Sequence, residues 1–390
     1  MSQKTIGIVG GGQLGRMLTQ AAHSLDFNVV VLDPTPNSPA GQITKQIVGG
    51  FKDEAKIREL ANESDFITFE VELANSAVLE DLQNSGKIIH PSPATLGIIK
   101  NKFGQKQFLR SADIPVADFL EVKTKQDILQ AAETFNYPII LKAKFDAYDG
   151  RGNALVKSET DVEQAMEKLQ ARELYVEKFI KFQKELGVTA VRANDGTIEV
   201  YPIMETIHKN HICHTVLAPA NIEEQKKQQA RDLAIQTLKH LHGVGVFCVE
   251  MFLAEDGNVL VNEIAPRVHN AGHLTIEASQ TSQFENHIRA ISGMDLGRTD
   301  LKTAAAVMIN ILGEREGAAN FPGFDGTWED FSTKHQLPKI SAEDSTKIFV
   351  HIYGKLQTKP ERKMGHITVV GNNLEKALAA GQQARKLIEI

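Results

Sequence analysis

The sequence predicts a mixed chain: α/β in its first third, antiparallel α+β through its middle, and a small β-rich end. Three observations carry this. Apolar strands alternate with helical segments over 1–97. Two pairs of apolar runs in the middle are joined by Asn-Asp-Gly and Asp-Gly turns. Short strands and one closing helix fill 296–390.

Thr5–Val9 reads as a buried strand, Gly10–Gly15 as a glycine-rich turn and Arg16–Leu25 as a helix. Asn28–Leu32 is a second buried strand ending at Asp33, Asp53–Glu63 a helix and Phe66–Phe69 a third strand. Elements alternating at this length predict a parallel sheet. The segment His90-Pro91-Ser92-Pro93 marks a boundary. Beyond it, Asp127–Phe135 predicts a helix, Pro138–Lys142 a strand, Phe145–Asn153 a charged glycine loop and Tyr175–Phe179 a further strand. Leu186–Ala193 with Thr197–Ile203, and Val246–Leu253 with Asn258–Ile264, form two predicted hairpins. A helix over Ser282–Ile291 precedes strands at Ala305–Leu312, Lys347–Tyr353 and His366–Val370, and a helix over Asn373–Ile388 closes the chain.

With 390 residues the chain accommodates roughly two or three domains. The net charge of -6 argues against a general nucleic-acid or membrane-surface binder, because either needs a positive field. The two cysteines, Cys213 and Cys248, sit in apolar contexts and read as reduced small hydrophobes. There is no apolar run long enough for a membrane span, and the first strand starts without a signal segment, so a cytoplasmic enzyme is expected.

The sharpest chemical feature is a pair of glutamates. With Asp256-Gly257 as a two-residue turn, 255 pairs with 258 and, five places outward, Glu250 pairs with Glu263. Like charges directly opposite one another destabilise a sheet. A divalent cation offsets that, and Mg²⁺ in particular takes carboxylate oxygens while leaving positions for phosphate. The alternative is a solvated or half-protonated pair. Arg267, just beyond the hairpin, could hold an anion beside the metal.

Other features are weaker alone. Lys142 closes a buried strand and suits a phosphate contact, or a snorkelling surface position. Tyr148-Asp149-Gly150-Arg151-Gly152-Asn153 reads as a loop able to lay N–H groups over phosphates, or as an ordinary turn. Gly10-Gly11-Gly12-Gln13-Leu14-Gly15 satisfies G-x-G-x-x-G between a strand and a helix, with Asp33 beyond it, and taken alone suggests a dinucleotide. His269, Asn270 and His273 suit substrate contact or loop packing. Lys355, Arg362, Lys363 and His366 suit a phosphate anchor or a solvated basic loop.

The order of these pieces resembles the ATP-grasp superfamily and, within it, the N-carboxyaminoimidazole ribonucleotide synthetase (PurK) family of purine biosynthesis. The motifs that carry the resemblance are GGGQLGRM at 10–17, YDGRG at 148–152, NEIAPRVHNAGH at 262–273 and RKMGH at 362–366. The resemblance implies ATP-grasp architecture: a Rossmann-like domain at 1–97, an ATP-grasp domain at 98–295 with its lid at about 117–180, and a β-rich domain at 296–390. It also implies that ATP phosphorylates bicarbonate to carboxyphosphate, whose carboxyl group passes to the exocyclic amine of aminoimidazole ribonucleotide.

The resemblance assigns Lys102, Lys142, Glu177, Glu185, His208, Asn262 and Glu263 to ATP. The loop Ala147, Tyr148, Asp149, Gly150, Arg151, Gly152 and Asn153 covers its phosphates, Glu177, Lys178 and Ile180 line the adenine slot, and Phe179 also falls to ATP. Two Mg²⁺ ions fall to Glu250 and Glu263. Arg267, His269 and Asn270 hold bicarbonate and steady carboxyphosphate, and Tyr148 and Asp149, also catalytic, lie near the ribonucleotide. Gly12, Gln13, Leu14, Glu72, Arg151, Lys355, Arg362 and Lys363 take the ribonucleotide. A homodimer that passes its product to the mutase that follows is implied, with no NAD and no nucleic-acid or membrane partner. Departures from the family pattern are Lys102 in place of Arg, Asp146-Ala147 in place of two glycines, and Leu73 in place of Asn. The alternatives are another ATP-grasp carboxylate–amine ligase and a nicotinamide-dependent oxidoreductase.

Overall fold

The computed structural model describes residues 3–145, 152–170, 172–321 and 346–390. Ala147, Tyr148, Asp149, Gly150 and Arg151, assigned above to the phosphate loop, lie outside the described residues.

Strands β1 (Thr5–Val9), β2 (Asn28–Asp33), β3 (Lys45–Val48), β4 (Phe66–Phe69) and β5 (Ile88–Ile89) form a parallel sheet in the order β3-β2-β1-β4-β5. The central strands are buried along nearly their whole length because helices cover both faces. The chain leaves β1 in one direction and reaches β4 on its other side, so the crevice at their carboxyl ends is the expected ligand position. Gly10–Gly12 sit there. Gly10 has φ +113°, and a Cβ on it would lie 2.4 Å from the Glu70 side chain, so only glycine fits.

The following helix spans Gln13–Ser24, starting three residues earlier than predicted. Its N-terminus has no local side-chain cap. Instead the buried Glu70, at the end of β4, accepts the Gly12 N–H at 2.5 Å. A cap drawn from 58 residues away leaves no local sequence signal.

Strands β6 (Phe119–Val122), β7 (Ile139–Ala143), β8 (Asn153–Val156) and β9 (Leu174–Lys178) form a second, antiparallel sheet in the order β6-β9-β7-β8. Helices Lys125–Phe135 and Val162–Lys168 close its apolar face, with Ile128, Leu141 and Val176 in the shared core.

The third sheet holds β10 (Phe182–Arg192), β11 (Ile198–Val200), β12 (Met204–Lys209), β13 (Ile212–Ala218), β14 (Gly245–Ala254) and β15 (Val259–Ala265). It continues into the last third through β16 (Ala305–Leu312), while β17 (Gly317–Ala318) lies outside it. Beyond these come β18 (Lys347–Ile352), β19 (Gln357–Thr358) and β20 (Lys363–Gly371). The order is β15-β14-β10-β12-β13-β16-β20-β18, with β11 beside β10 and a separate β17-β19 ribbon. The β-rich end is therefore hydrogen-bonded into the central sheet through Thr215 to Ile309 and the pairs that follow. Helix Leu374–Lys386 covers it, and helix Glu224–Leu241 covers the β10–β14–β15 part.

Helix Gln283–Ser292 packs between the first and third sheets. Its buried His287 accepts the Val246 N–H at Nδ1 (3.1 Å), which leaves the Nε2 proton for the Thr68 hydroxyl at 2.8 Å. One neutral imidazole thus ties β4 to β14. Among the described residues, no helix is long and apolar enough to cross a membrane.

Candidate active site

Glu250 on β14 faces Glu263 on β15. The predicted pairing is correct, but the hairpin reaches it by another route. Leu253 pairs with Val259, Phe252 with Leu260 and Met251 with Val261, one place short of the predicted register. The turn is accordingly three residues, Glu255 to Gly257, with Gly257 at φ +83° and its N–H bonded to Ala254 O at 2.9 Å. A bulge at Asn262 then restores the step and sets Glu250 against Glu263. A bulge re-aims side chains, so Asn262 and Glu263 can both serve the same cleft.

The hairpin is held from behind. Gln105, on helix Lys102–Ser111, accepts the Ile264 N–H at 3.0 Å and is fully buried. One turn away, Lys102 Nζ lies 3.4 Å from Glu263 and 3.6 Å from Glu72. Glu72 in turn meets Arg267 at 3.3 Å. His269 Nδ1 accepts the Ala271 N–H at 3.3 Å, so its Nε2–H points at Glu250, 3.1 Å away. Burial, reinforced by Arg267, holds that imidazole well below its usual range and keeps it neutral.

The glutamates differ electrically. Burial, and then the Glu263 charge, push the Glu250 carboxyl up to about 7. Burial opposes ionisation of Glu263 too, but Lys102 and Lys142 outweigh it and hold that carboxyl below the ordinary range. Both side chains remain 28% and 38% exposed to the cleft, so a ligand can reach them. Two hard oxygen donors, one of them retaining a proton near neutrality for want of positive charge, fit a Mg²⁺ ion. Among the described residues no set of three His, Cys, Asp or Glu forms a ready-made cage, so phosphate oxygens and water would complete the coordination.

A second cluster lies between the two antiparallel sheets. The buried Glu177 carboxylate on β9 sits 3.3 Å from Lys106 and 3.4 Å from Lys142. Burial brings the Lys106 ammonium down to about 8, with Glu177 opposing that shift. Lys106 was not singled out in the sequence. The available signal was its place one turn after Lys102, on the same helix face. Glu185 on β10 contacts His208 on β12, and that contact outweighs burial to raise the imidazole. Asn153 opens β8 directly opposite Lys142, and Gly152 accepts the Ala143 N–H at 2.8 Å. Lys178 is exposed at the end of β9, and Phe179 and Ile180 are half-buried beside it.

The glycine turn accepts the Ala40 N–H at Gly11 O (2.9 Å), and two residues on, the Gln42 amide donates to Gly354 O of the C-terminal basic segment at 2.7 Å. Next to it, Lys355 donates to Lys363 O at 2.6 Å, and Arg362 to Gln357 O at 2.8 Å. Gly12 and Gln13 remain half-buried at this junction, whereas the Leu14 side chain is packed into the core. The Asn270 carboxamide is also turned inward, to Asn310 (3.0 and 2.6 Å) and His273 (3.1 Å). Asp33, the acid that would meet a nicotinamide ribose, accepts the Gly11 N–H at 2.9 Å and the Thr35 N–H at 2.8 Å.

Two antiparallel sheets closing on a lysine-rich cleft, with paired carboxylates at one end, define an ATP-grasp enzyme. The ATP-grasp domain model matches residues 107–284, the ribonucleotide synthetase preATP-grasp domain 3–100 and the phosphoribosylaminoimidazole carboxylase C-terminal domain 306–380. An N5-carboxyaminoimidazole ribonucleotide synthase of Bacillus subtilis is 38% identical over 364 residues, covering 93% of this chain and 90% of that protein. The chain belongs to the N5-carboxyaminoimidazole ribonucleotide synthase family. A crystal structure of the synthase from Aspergillus clavatus, in complex with ADP and 5-aminoimidazole ribonucleotide, superposes with a TM-score of 0.86 at 36% identity, covering 99% of this chain and 98% of that one. A phosphoribosylaminoimidazole carboxylase of Ogataea methanolica is 42% identical over 96% of this chain, which spans 68% of that protein. For several carboxylase relatives the share is 64–66% of their length.

Proposed function

We propose that the chain carboxylates the exocyclic amine of aminoimidazole ribonucleotide, using ATP and bicarbonate through carboxyphosphate, in purine biosynthesis. The observation that carries the reading is the line of contacts from Glu250 and Glu263 through Lys102, Glu72 and Arg267, at the carboxyl ends of β1 and β4. It joins the lysine-rich cleft to the crevice beside the glycine turn.

In this reading Lys142 and Lys106 neutralise the ATP phosphates, and Glu177 keeps the two ammonium groups apart and oriented. Glu185, steadied by His208, takes the ribose hydroxyls, and Lys178 to Ile180 border the base. Glu250 and Glu263 hold Mg²⁺, two ions when ATP is present, which would neutralise charge on the transferring phosphoryl group. Arg267 and the neutral His269 orient bicarbonate, and Asn270 steadies their turn from behind. Gly12, Gln13 and Glu72 face the ribonucleotide, with Lys355, Arg362 and Lys363 around its phosphate. The loop at 147–153 covers the site and keeps water from carboxyphosphate. The domains divide at 1–97, 98–295 and 296–390, with the lid at about 117–180. The chain works in the cytoplasm as a homodimer and hands its product to a mutase.

The test is ADP release with bicarbonate and Mg²⁺, with and without aminoimidazole ribonucleotide. Strong stimulation by the ribonucleotide is expected. ATP turnover indifferent to it would favour another carboxylate–amine ligase, and NADH oxidation without ATP turnover would favour an oxidoreductase.

A further inference from the structure

Behind the cleft lies a set of polar side chains of which the proposed chemistry uses only Asn270. Tyr353, His273, His366 and Asn310 are almost completely buried, and Asn270 nearly so. The Tyr353 hydroxyl lies 2.9 Å from His366 Nδ1 and 3.2 Å from His273 Nδ1. His273 Nδ1 also meets the Asn270 amide at 3.1 Å, and Asn270 pairs with Asn310. The Nε2 atoms of His273 and His366 have no partner among the described residues, so the Nδ1 side is the polar hold on each ring.

The protons can be placed by elimination. Asn310 Nδ2 donates to the Cys213 carbonyl at 2.8 Å, which can only accept, so its amide orientation is set. Its Oδ1 then accepts from Asn270 Nδ2, whose other proton points to His273 Nδ1. That nitrogen is therefore an acceptor. Its single lone pair is shared in a three-centre bond with the Tyr353 hydroxyl, whose oxygen would otherwise face it lone pair to lone pair at 3.2 Å. Tyr353 O consequently accepts from His366 Nδ1–H. Protons run in one direction, from His366 through Tyr353 to His273. Burial holds both imidazoles well below their usual range, as this order requires.

The ends of the chain matter. Tyr353 precedes Gly354-Lys355, and His366 follows Lys363 on β20. His273 and Asn270 belong to the turn that carries Arg267 and His269. Flanking these two segments, His351 meets Glu277 at 2.7 Å. A buried network with this many partners is expensive unless every geometry is kept, so it fixes relative position.

We infer that Tyr353, oriented by His366, is a positioning residue that registers the ribonucleotide-phosphate segment, Lys355 and Lys363, against the bicarbonate turn at Arg267–His269. The inference rests on the reaction proposed above. Its loss would let ATP be spent without transfer of the carboxyl group.

The test compares the unaltered protein with Tyr353→Phe, His366→Asn and His366→Leu. ADP release and carboxylated product are followed against ribonucleotide concentration. Tyr353→Phe should keep ribonucleotide-free ADP release within about twofold. It should raise the KM for ribonucleotide by ~5–10-fold, the equivalent of one neutral hydrogen bond, and lower the product formed per ADP. His366→Asn places an amide donor where Nδ1–H stood and should stay near the unaltered protein. His366→Leu should follow Tyr353→Phe. A Tyr353→Phe protein with unchanged KM and product per ADP overturns the inference. So do indistinguishable Asn and Leu variants, which decide the matter if Tyr353→Phe does not fold. An unaltered protein that ignores the ribonucleotide refutes the reaction itself, before any variant is read.

Discussion

Replacing Glu263 by Gln separates the proposed metal role of the hairpin from its structural one. Cross-strand neighbours lie ~5 Å apart, and at an effective dielectric of ~20 two carboxylates there repel by ~3 kcal/mol. The cleft exposes 28% of Glu250 and 38% of Glu263, so screening reduces this to ~1–2 kcal/mol, about one pH unit of titration. Burial supplies the larger part of the rise that brings Glu250 to about 7. In the unaltered protein, then, Mg²⁺ binding near neutrality displaces a proton, and its affinity climbs as pH rises through 7. Glu263→Gln removes one ligand oxygen and its charge. Turnover should fall by ~10²-fold or more, as for loss of a preorganised charge-stabilising group. The pH midpoint for Mg²⁺ should move down by about one unit, because Glu250 loses its anionic neighbour. Lys102 keeps Glu72 at 3.6 Å, so the fold should survive. The assay is ADP release against Mg²⁺ concentration at several pH values, with calorimetry in two buffers to count the released proton. Turnover within threefold of the unaltered protein, with the same Mg²⁺ and pH dependence, would refute the metal assignment.

Two more predictions concern buried charge. Glu177→Gln leaves the Lys106 and Lys142 ammonium groups without their shared counter-charge in the interior, so it should cost ~3–5 kcal/mol of stability, read as a lowered urea midpoint. Bound ATP should restore part of that loss, because its phosphates supply the missing charge; no restoration would place the nucleotide elsewhere. For His287, burial depresses the imidazole to about 3, so the folded chain stays neutral while the unfolded chain takes a proton as pH falls through ~6.5. Its contribution is complete above ~6.5 and is lost between there and about 3, at up to ~1.4 kcal/mol per pH unit. His287→Asn keeps an acceptor for the Val246 N–H without titrating, so its urea midpoint should fall less steeply between pH 7 and pH 5. Parallel slopes would show that the other depressed imidazoles, His269, His273 and His366 among them, carry the effect instead.

Local periodicity and turn chemistry made the sheets legible. β1, β4 and β16 occupy their predicted spans, because each is a mostly apolar run bounded by a change to polar or glycine residues on at least one side. What the sequence hid depends on residues far apart in the chain. The Glu70 cap on Gly12 and the Gln105 hold on Ile264 join positions 58 and 159 residues apart, and each looks like an ordinary polar residue in its own neighbourhood. Lys106 was hidden for a related reason, since a helix-surface lysine and a buried one have the same local pattern.

The hairpin shows how a correct site can come from an incomplete derivation. The alternation of β14 and β15 predicts which residues share a face, but a slip of one place moves every side chain to the other face. A two-residue turn with a regular ladder opposes Glu250 and Glu263. A three-residue turn with a regular ladder opposes Glu250 and Asn262. The structure combines the longer turn with a bulge, and the two offsets cancel. The bulge therefore belongs to the site: a regular ladder continued from the three-residue turn would bring Asn262 opposite Glu250 and Glu263 opposite Val249, and the two carboxylates would no longer face each other. A structural element that costs ladder hydrogen bonds is kept where it aims a ligand. Asn262, whose neighbours alone gave no reason to interrupt the strand, is the residue through which the carboxylate pair is set.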